Sequence, residues 1–394
     1  MKLPRLRLPE WWPVFWPAVL VIAGATLILL HQLASLAPRL SPTEESSMSL
    51  TRHLPDLLNG SAPIPLRLLE WASHHIPALD PILLARLPSL VIGVISLIIL
   101  AYIMQRWYAR RSMVFGLILI ACSAWFLHVG RFAGLEIEYF AATPALLAAH
   151  LLLHDHEDSR VAWFVWLVVN ILLLFVPGMI WFVILSAAWQ WRAIFHSFRQ
   201  LAVWQRILSA VLSLVAVGWL VYDVVVHHDL LMPILGLPDN LASLHTLPRH
   251  LLDTLGLFVY SGPNQPELWL GKLPLLDIFI MTAFLAGASF YARHPSAART
   301  RLLASYLVLS IVLISLGGVG TSVVMPLIYL VAVAGIAYVL HFWLRTFPRN
   351  PLARYFGIGL TTLLIALSCY YNLTQYFVAW PHNQAVVQIY RSSH

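Results

Sequence analysis

Charge is what this sequence has least of. Only 10% of its 394 residues are charged, against about 25% in a soluble domain. By contrast 60% are hydrophobic, and the mean hydropathy is +0.79. Water cannot solvate such a surface, so the chain belongs in a bilayer. Cysteine is nearly absent. Cys122 and Cys369 both sit inside apolar runs, which excludes a disulfide framework and a CxxC metal site. There is no GxxxxGK[ST] loop to cradle a nucleotide phosphate. No internal repeat is visible, which weakens a transporter built from inverted repeats. The net charge of +7 would suggest nucleic acid in a soluble protein. Here it reflects loop arginines, and no nucleic-acid partner is expected.

What is there is apolar sequence in blocks. A spanning helix takes roughly 20 apolar residues, and about eleven candidate spans start near Trp11, Leu84, Met113, Tyr139, Val161, Gly178, Ile207, Leu273, Leu302, Ser322 and Tyr355. The fold class is therefore an all-α polytopic membrane protein, read as one unit over 1–394. The 16 Trp residues suit membrane-interface belts. The opening "MKLPRLRLPEWWPVFW" has the flavour of a signal-peptide n-region, but the apolar run after it is too long for an h-region. It reads as a retained first span.

Orientation follows from the basic residues. With the N-terminus inside, the inner segments hold Lys2, Arg5, Arg7, Arg106, Arg110, Arg111, Arg160, Arg192, Arg199, Arg206, Arg293, Arg299, Arg301, Arg345, Arg349 and Arg354. That is 16 of the 24 Lys and Arg residues, so the positive-inside rule favours a cytoplasmic N-terminus and an extracytoplasmic C-terminus in an inner or plasma membrane. Of 17 acids, 13 then fall outside or at the outer boundary. Two outer loops are long, 37–83 and 227–272, and loops of that length are usually functional or disordered. Short amphipathic segments within them, such as "PIPLRLLEWASHHI", read as helices in the outer interface.

The first loop opens on "RLSPTEESSMSL". Ser41-Pro42-Thr43-Glu44 fits a capping box with proline at the first helical position. Neighbouring helical residues point about 100° apart, so Glu45 joins a polar stripe with Ser49, Arg52 and Asp56, while Glu44 faces the membrane side. Desolvation there would make Glu44 the better base near neutral pH. Cap and base are compatible roles, since an amide bond can fix the rotamer of a reactive acid.

A first span, an acidic pair, an interfacial helix, "RLPS" opening the second span, the basic turn "RWYARRS" and "SAWFLHVGRFA" closing the third follow in order. Together they resemble membrane glycosyltransferases of the GT-C fold, in the aminoarabinose transferase and protein O-mannosyltransferase branch. The likeness is good over residues 10–155 and elsewhere lies in layout. It implies an inverting transfer at the outer face, from a polyprenyl-phosphate sugar to a lipid, glycan or protein acceptor. In that scheme Glu44 is the base with Glu45 as its alternate, Glu136 supports the site, and Arg131 holds the leaving phosphate. Arg249 and Lys272 are further phosphate candidates. A lipid-linked donor also suits the missing nucleotide loop. The sequence departs from the pattern in two places. Aligned on Pro42, Thr43 takes the position of the family aspartate, whereas alignment on the acids, the preferred one, makes the pair Glu44-Glu45. The stretch "GTSVVMPLIYLVA" lacks the arginine many relatives carry.

Other readings stay open. Asp223, His227, His228 and Asp229 gather His and Asp that could take a divalent metal. "NGS" (59–61) and "NLT" (372–374) fit a glycosylation sequon on the outer side. The rival functions are a flippase for a lipid-linked saccharide, which needs ionisable groups deep in the spans, and a catalytically inactive relative acting as a binding or scaffold protein.

Overall fold

The computed structural model describes residues 12–37, 39–49, 64–74, 80–238 and 247–392. Every regular element among them is helical. The chain begins with α1 (Trp12–Leu30), α2 (Pro42–Ser49), α3 (Ile64–His74) and α4 (Pro81–Trp107). There follow α5 (Arg110–Cys122), α6 (Ala124–Val129), α7 (Glu136–Asp155), α8 (Arg160–Leu174), α9 (Ile180–Gln200) and α10 (Val203–Val226). The second long loop carries α11 (Leu231–Leu235) and α12 (Leu247–Val259). The chain then closes with α13 (Ile278–Ala292), α14 (Ala298–Ser315), α15 (Met325–Thr346), α16 (Pro351–Thr374) and α17 (Gln384–Ser392).

Six of these helical segments are long and apolar enough to cross a membrane, and three shorter apolar helices accompany them: Trp16–Leu30, Arg160–Leu174 and Ile278–Ala292. The protein is a multi-pass membrane protein. Among the described residues six segments reach crossing length by composition alone, against about eleven candidate spans in the sequence.

The helix ends are written locally. Asp80 accepts from the Ile82 amide at 2.9 Å, and Pro81 starts α4 with an angle already suited to a helix. Ser123 separates α5 from α6 by capping the second helix. Asp277 and Asn350 cap α13 and α16. Pro177-Gly178 forms a turn between α8 and α9, with Gly178 at φ 73° and its amide donating to the Ile234 carbonyl.

One apolar cluster extends from Ala18 to Tyr376 and is centred on α15, whose residues from Met325 to Ile336 are all buried. α13 packs against α15 through Gly287 and Gly335. A methyl group on either would collide with the facing backbone, at Val331 and Ala283 respectively. Small residues at such a crossing let two backbones approach closely. At the other end of the helices, Arg106 of α4 bonds Asp155 of α7, and Arg299 lies against the rings of Trp107, Tyr108 and Tyr291. α3 forms within the expected segment but does more than lie in the interface: it packs on α4 and buries Leu66, Arg67 and Glu70.

Candidate active site

The chain leaves α1 through Gln32, which sits in the left-handed region at φ 54°. Beyond a helix C-terminus the carbonyls lack helical partners. Here arginines from two other elements take them. Arg86, one turn into α4, donates from Nη1 to the Leu33 and Ala37 carbonyls at 2.9 and 3.0 Å, and from Nη2 to Arg39 at 3.1 Å. Its remaining donors reach Glu44, Nε to Oε1 at 2.9 Å and Nη2 to Oε2 at 3.1 Å. A guanidinium has five N–H donors, and all five of Arg86 are used.

Glu44 is equally committed. Its side chain is 0% exposed. The capping box is present: the Ser41 amide donates to Glu44 Oε2 at 2.9 Å, and the Glu44 amide to Ser41 Oγ at 3.2 Å. The Ala133 amide, from the turn before α7, donates to Oε1 at 3.2 Å. Each carboxylate oxygen thus takes two hydrogen bonds, which fills the lone-pair sites of the group. The expected burial of Glu44 and exposure of Glu45 are both observed. The base role expected for Glu44 meets an obstacle, because no acceptor position remains for an incoming proton. Of the polar stripe, Arg52 and Asp56 lie outside the described residues, and the Ser49 side chain is likewise not described.

Glu44 and Arg86 form one wall of a partly open cavity of about 20 Å³, room for about one water. Arg131, His128 and Glu267 also line it, and Tyr376, Trp380 and Tyr390 close it from the C-terminal side. Arg131 is 4% exposed. Its Nη2 donates to the His31 carbonyl at 2.8 Å, and its guanidinium lies 5.1 Å from the Tyr376 ring. Its Nε and Nη1, and Nε2 of His128, are buried without a hydrogen-bond partner among the described residues. Burial, together with the nearby positive charge of Arg86, pulls the Arg131 pKa below its ordinary value. A buried cation with two such donors is stabilised by an anion placed near them. His128 sits in a box of rings, 4.5 Å from Tyr376 and 4.9 Å from Trp380. Tyr390 comes from α17, and burial pushes its hydroxyl well above the usual phenol range.

The other expected site residues lie elsewhere. Glu45 is exposed on α2. Glu136 does not line the cavity: its Oε2 accepts from the Ser322 amide at 3.1 Å, bracing the 3₁₀ turn Thr321–Val323 in the stretch that lacks the arginine. Glu138 is buried and accepts from the Leu66 amide. Arg249 and Lys272 are both exposed and away from the cavity. Among the described residues no group of three or more His, Cys, Asp or Glu could hold a metal ion. His227 meets Asp223 at 3.3 Å as a simple pair, and the side chain of Asp229 is not described. Asn372 of the second sequon is buried and bonded to Asp277 and to the Ala124 amide, so it cannot carry a glycan. The first sequon, 59–61, lies outside the described residues.

Sequence reasoning missed Arg86, Glu267, His128 and the aromatic wall. Arg86 carried a readable signal, an ionised residue inside a spanning helix, in the "RLPS" that opens the second span. Glu267 in "NQPELW" carried none.

A larger and mainly apolar groove of about 680 Å³ runs between α13, α15 and α16, past Ile278, Phe279, Ile336, Leu364 and Leu367. Asp277 lies on its wall, held by Ser368 and Asn372.

No protein-family model and no curated protein matches the sequence. Solved structures do. ArnT from Cupriavidus metallidurans bound to undecaprenyl phosphate superposes with TM-score 0.54 at 14% identity, over 95% of this chain and 77% of that one. The oligosaccharyltransferase of Archaeoglobus fulgidus, tethered to an acceptor peptide, gives TM-score 0.58 at 14% identity, over 95% of this chain and 56% of its own. AglB of the same organism, in complex with an inhibitory peptide and a dolichol-phosphate, gives 0.56 at 12% identity, over 94% and 56%. This chain therefore spans little more than half the length of the archaeal enzymes. Identities this low speak for architecture, and the architecture shared along nearly the whole chain is the GT-C fold.

Proposed function

We propose that this protein is a glycosyltransferase that moves a sugar from a polyprenyl-phosphate donor to an acceptor hydroxyl at the extracytoplasmic membrane face, with inversion. The observation that carries this reading is the set of three unpartnered buried nitrogens, two on Arg131 and one on His128, around a cavity walled by a locked carboxylate–arginine pair. Undecaprenyl phosphate and dolichol-phosphate are the lipids named with two proteins of the same fold. Both present what these nitrogens lack, an anionic oxygen.

The parts divide the work as follows. Arg131 neutralises charge that grows on the departing phosphate oxygen. The Glu44–Arg86 pair holds the first outer loop against α4 and the Ala133 turn, fixing the cavity's polar wall. Glu136 steadies the 3₁₀ turn beside α7. The apolar groove past Ile278 and Leu364 takes the polyprenyl tail, so the lipid stays in the bilayer while its headgroup enters the cavity. The cavity as it stands holds about one water, so the C-terminal wall of Trp380 and Tyr390 moves to admit the headgroup.

The flippase reading requires ionised groups in the spans that change partners during transport. Arg86 is such a group by position, but its five bonds fix it in place. The test is mass spectrometry of cell-envelope glycans and lipid-linked sugars in cells with and without the chain. Loss of one sugar from one acceptor, with accumulation of its polyprenyl-phosphate form, is the expected outcome. Unchanged glycans with lipid-linked sugars trapped on the inner leaflet would favour the flippase.

A further inference from the structure

Within the glycosyltransferase reading above, on which this rests, we infer that Glu267 rather than Glu44 takes the proton from the acceptor hydroxyl. Two carboxylates line the cavity, Glu44 and Glu267. They differ in how many bonds they already accept. Glu44 takes four, two on each oxygen, and is wholly buried. Protonating it would set a new O–H against a ring of donors and leave Arg86 without its countercharge, which is costly at a buried site.

Glu267 is half-buried. Its Oε2 accepts one hydrogen bond, from Ser41 Oγ at 3.0 Å, and Oε1 has no donor among the described residues. The carboxylate is therefore fixed at one oxygen and open at the other. The main chain around it is held on both sides. The Pro266 carbonyl accepts from Trp380 Nε1 at 3.0 Å, and the Trp269 ring is buried between Trp125 and His128. A rigid backbone carrying an acid with one free oxygen, in a cavity shared with Arg131, is the arrangement general-base catalysis needs. Ser41 joins the two acids. Its oxygen accepts from the Glu44 amide while its hydroxyl donates to Glu267, so the buried pair orients the reactive acid without taking the proton.

The step balances. The acceptor O–H proton passes to Glu267 Oε1. The acceptor oxygen forms a bond to the anomeric carbon on the face opposite the phosphate. The bond from that carbon to the phosphate oxygen breaks, and its electron pair leaves with polyprenyl phosphate beside Arg131. Glu267 then releases the proton to water when the product departs.

The experiment places full-length wild type, Glu267→Gln, Glu267→Asp and Glu44→Gln in cells deleted for the chain. Envelope glycans are quantified by mass spectrometry. Undecaprenyl phosphate binding to each purified protein is followed by native mass spectrometry. Glutamine at 267 keeps the size and the acceptor for Ser41 but cannot hold a proton. It should lower transfer by about 100-fold or more, with wild-type undecaprenyl phosphate binding, while aspartate restores part of the activity. Transfer by Glu267→Gln within a few-fold of wild type would overturn the assignment. So would retention by Glu267→Gln alongside loss in a folded, lipid-binding Glu44→Gln protein. If wild type itself restores no glycan, the glycosyltransferase reading fails, and this inference falls with it for a separate reason.

Discussion

Arg86 and Glu44 saturate each other and everything around them. The pair has five donors and four acceptor sites, and none is left to water or to a ligand. Such pairs add little net stability when assembled but are severe to break, because the survivor is a buried charge. Glu44→Gln puts an amide NH₂ where only donors point. It should cost about 3–5 kcal/mol, read as a lower thermal midpoint of the detergent-purified protein. The double change Glu44→Leu with Arg86→Met should recover part of the loss, since it removes both charges. A Glu44→Gln protein that melts with wild type would mean that these bonds do not hold the loop. The capping box made Glu44 legible in the sequence, because serine, proline and glutamate at that spacing are a local signal. Its pairing with Arg86 was not legible: nothing within a few residues of Arg86 says that its side chain reaches back 42 positions.

Element by element, the apolar blocks were legible in the sequence, and the structure adds their caps. Asp80, Ser123, Asp277 and Asn350 each precede a helix that they cap. What could not be read was which helices lie together, since side-chain periodicity fades when a helix is apolar all round. The pairing of α13 with α15 rests on Gly287 and Gly335, two unremarkable glycines in apolar runs. Leucine at 335 would meet the Ala283 backbone and force the helices apart. Overpacking in a close-packed core costs about 1–3 kcal/mol or more. Gly335→Leu should therefore reduce folded yield in membranes, whereas Gly359→Leu, with nothing within 4 Å of its added carbon, should not. Equal yields of the two would remove the tight crossing from the account.

For the molecule as a whole, the basic residues and the cavity make one statement about sidedness. In the proposed orientation the arginine-rich helix ends around Arg106, Arg111 and Arg299 lie on the cytoplasmic face, and the Glu44 cavity lies on the opposite one. Glu45 is exposed next to the buried pair, and Asp158 is exposed between α7 and α8. A cysteine at 45 should react with a membrane-impermeant maleimide on intact cells, and one at 158 only after permeabilisation. The reverse pattern would put the cavity on the wrong side for a polyprenyl-phosphate sugar displayed outward. The general layout of this scheme was visible in the sequence as charge asymmetry and loop length. The cavity was not, because its walls come from residues more than 340 positions apart, Leu33 at one end and Tyr390 at the other.

That separation has a consequence for biosynthesis. A nascent chain grows from its N-terminal end, at about 5–20 residues per second. Residues 33–44 and Arg86 are therefore inserted long before the ribosome has made Tyr376, Trp380 and Tyr390. Until those three residues are made, Arg131 faces an unwalled pocket. The chamber is closed by residues made long after its polar wall, so a polypeptide stalled in the translocon before residue 376 presents a charged notch to lipid rather than a finished compartment.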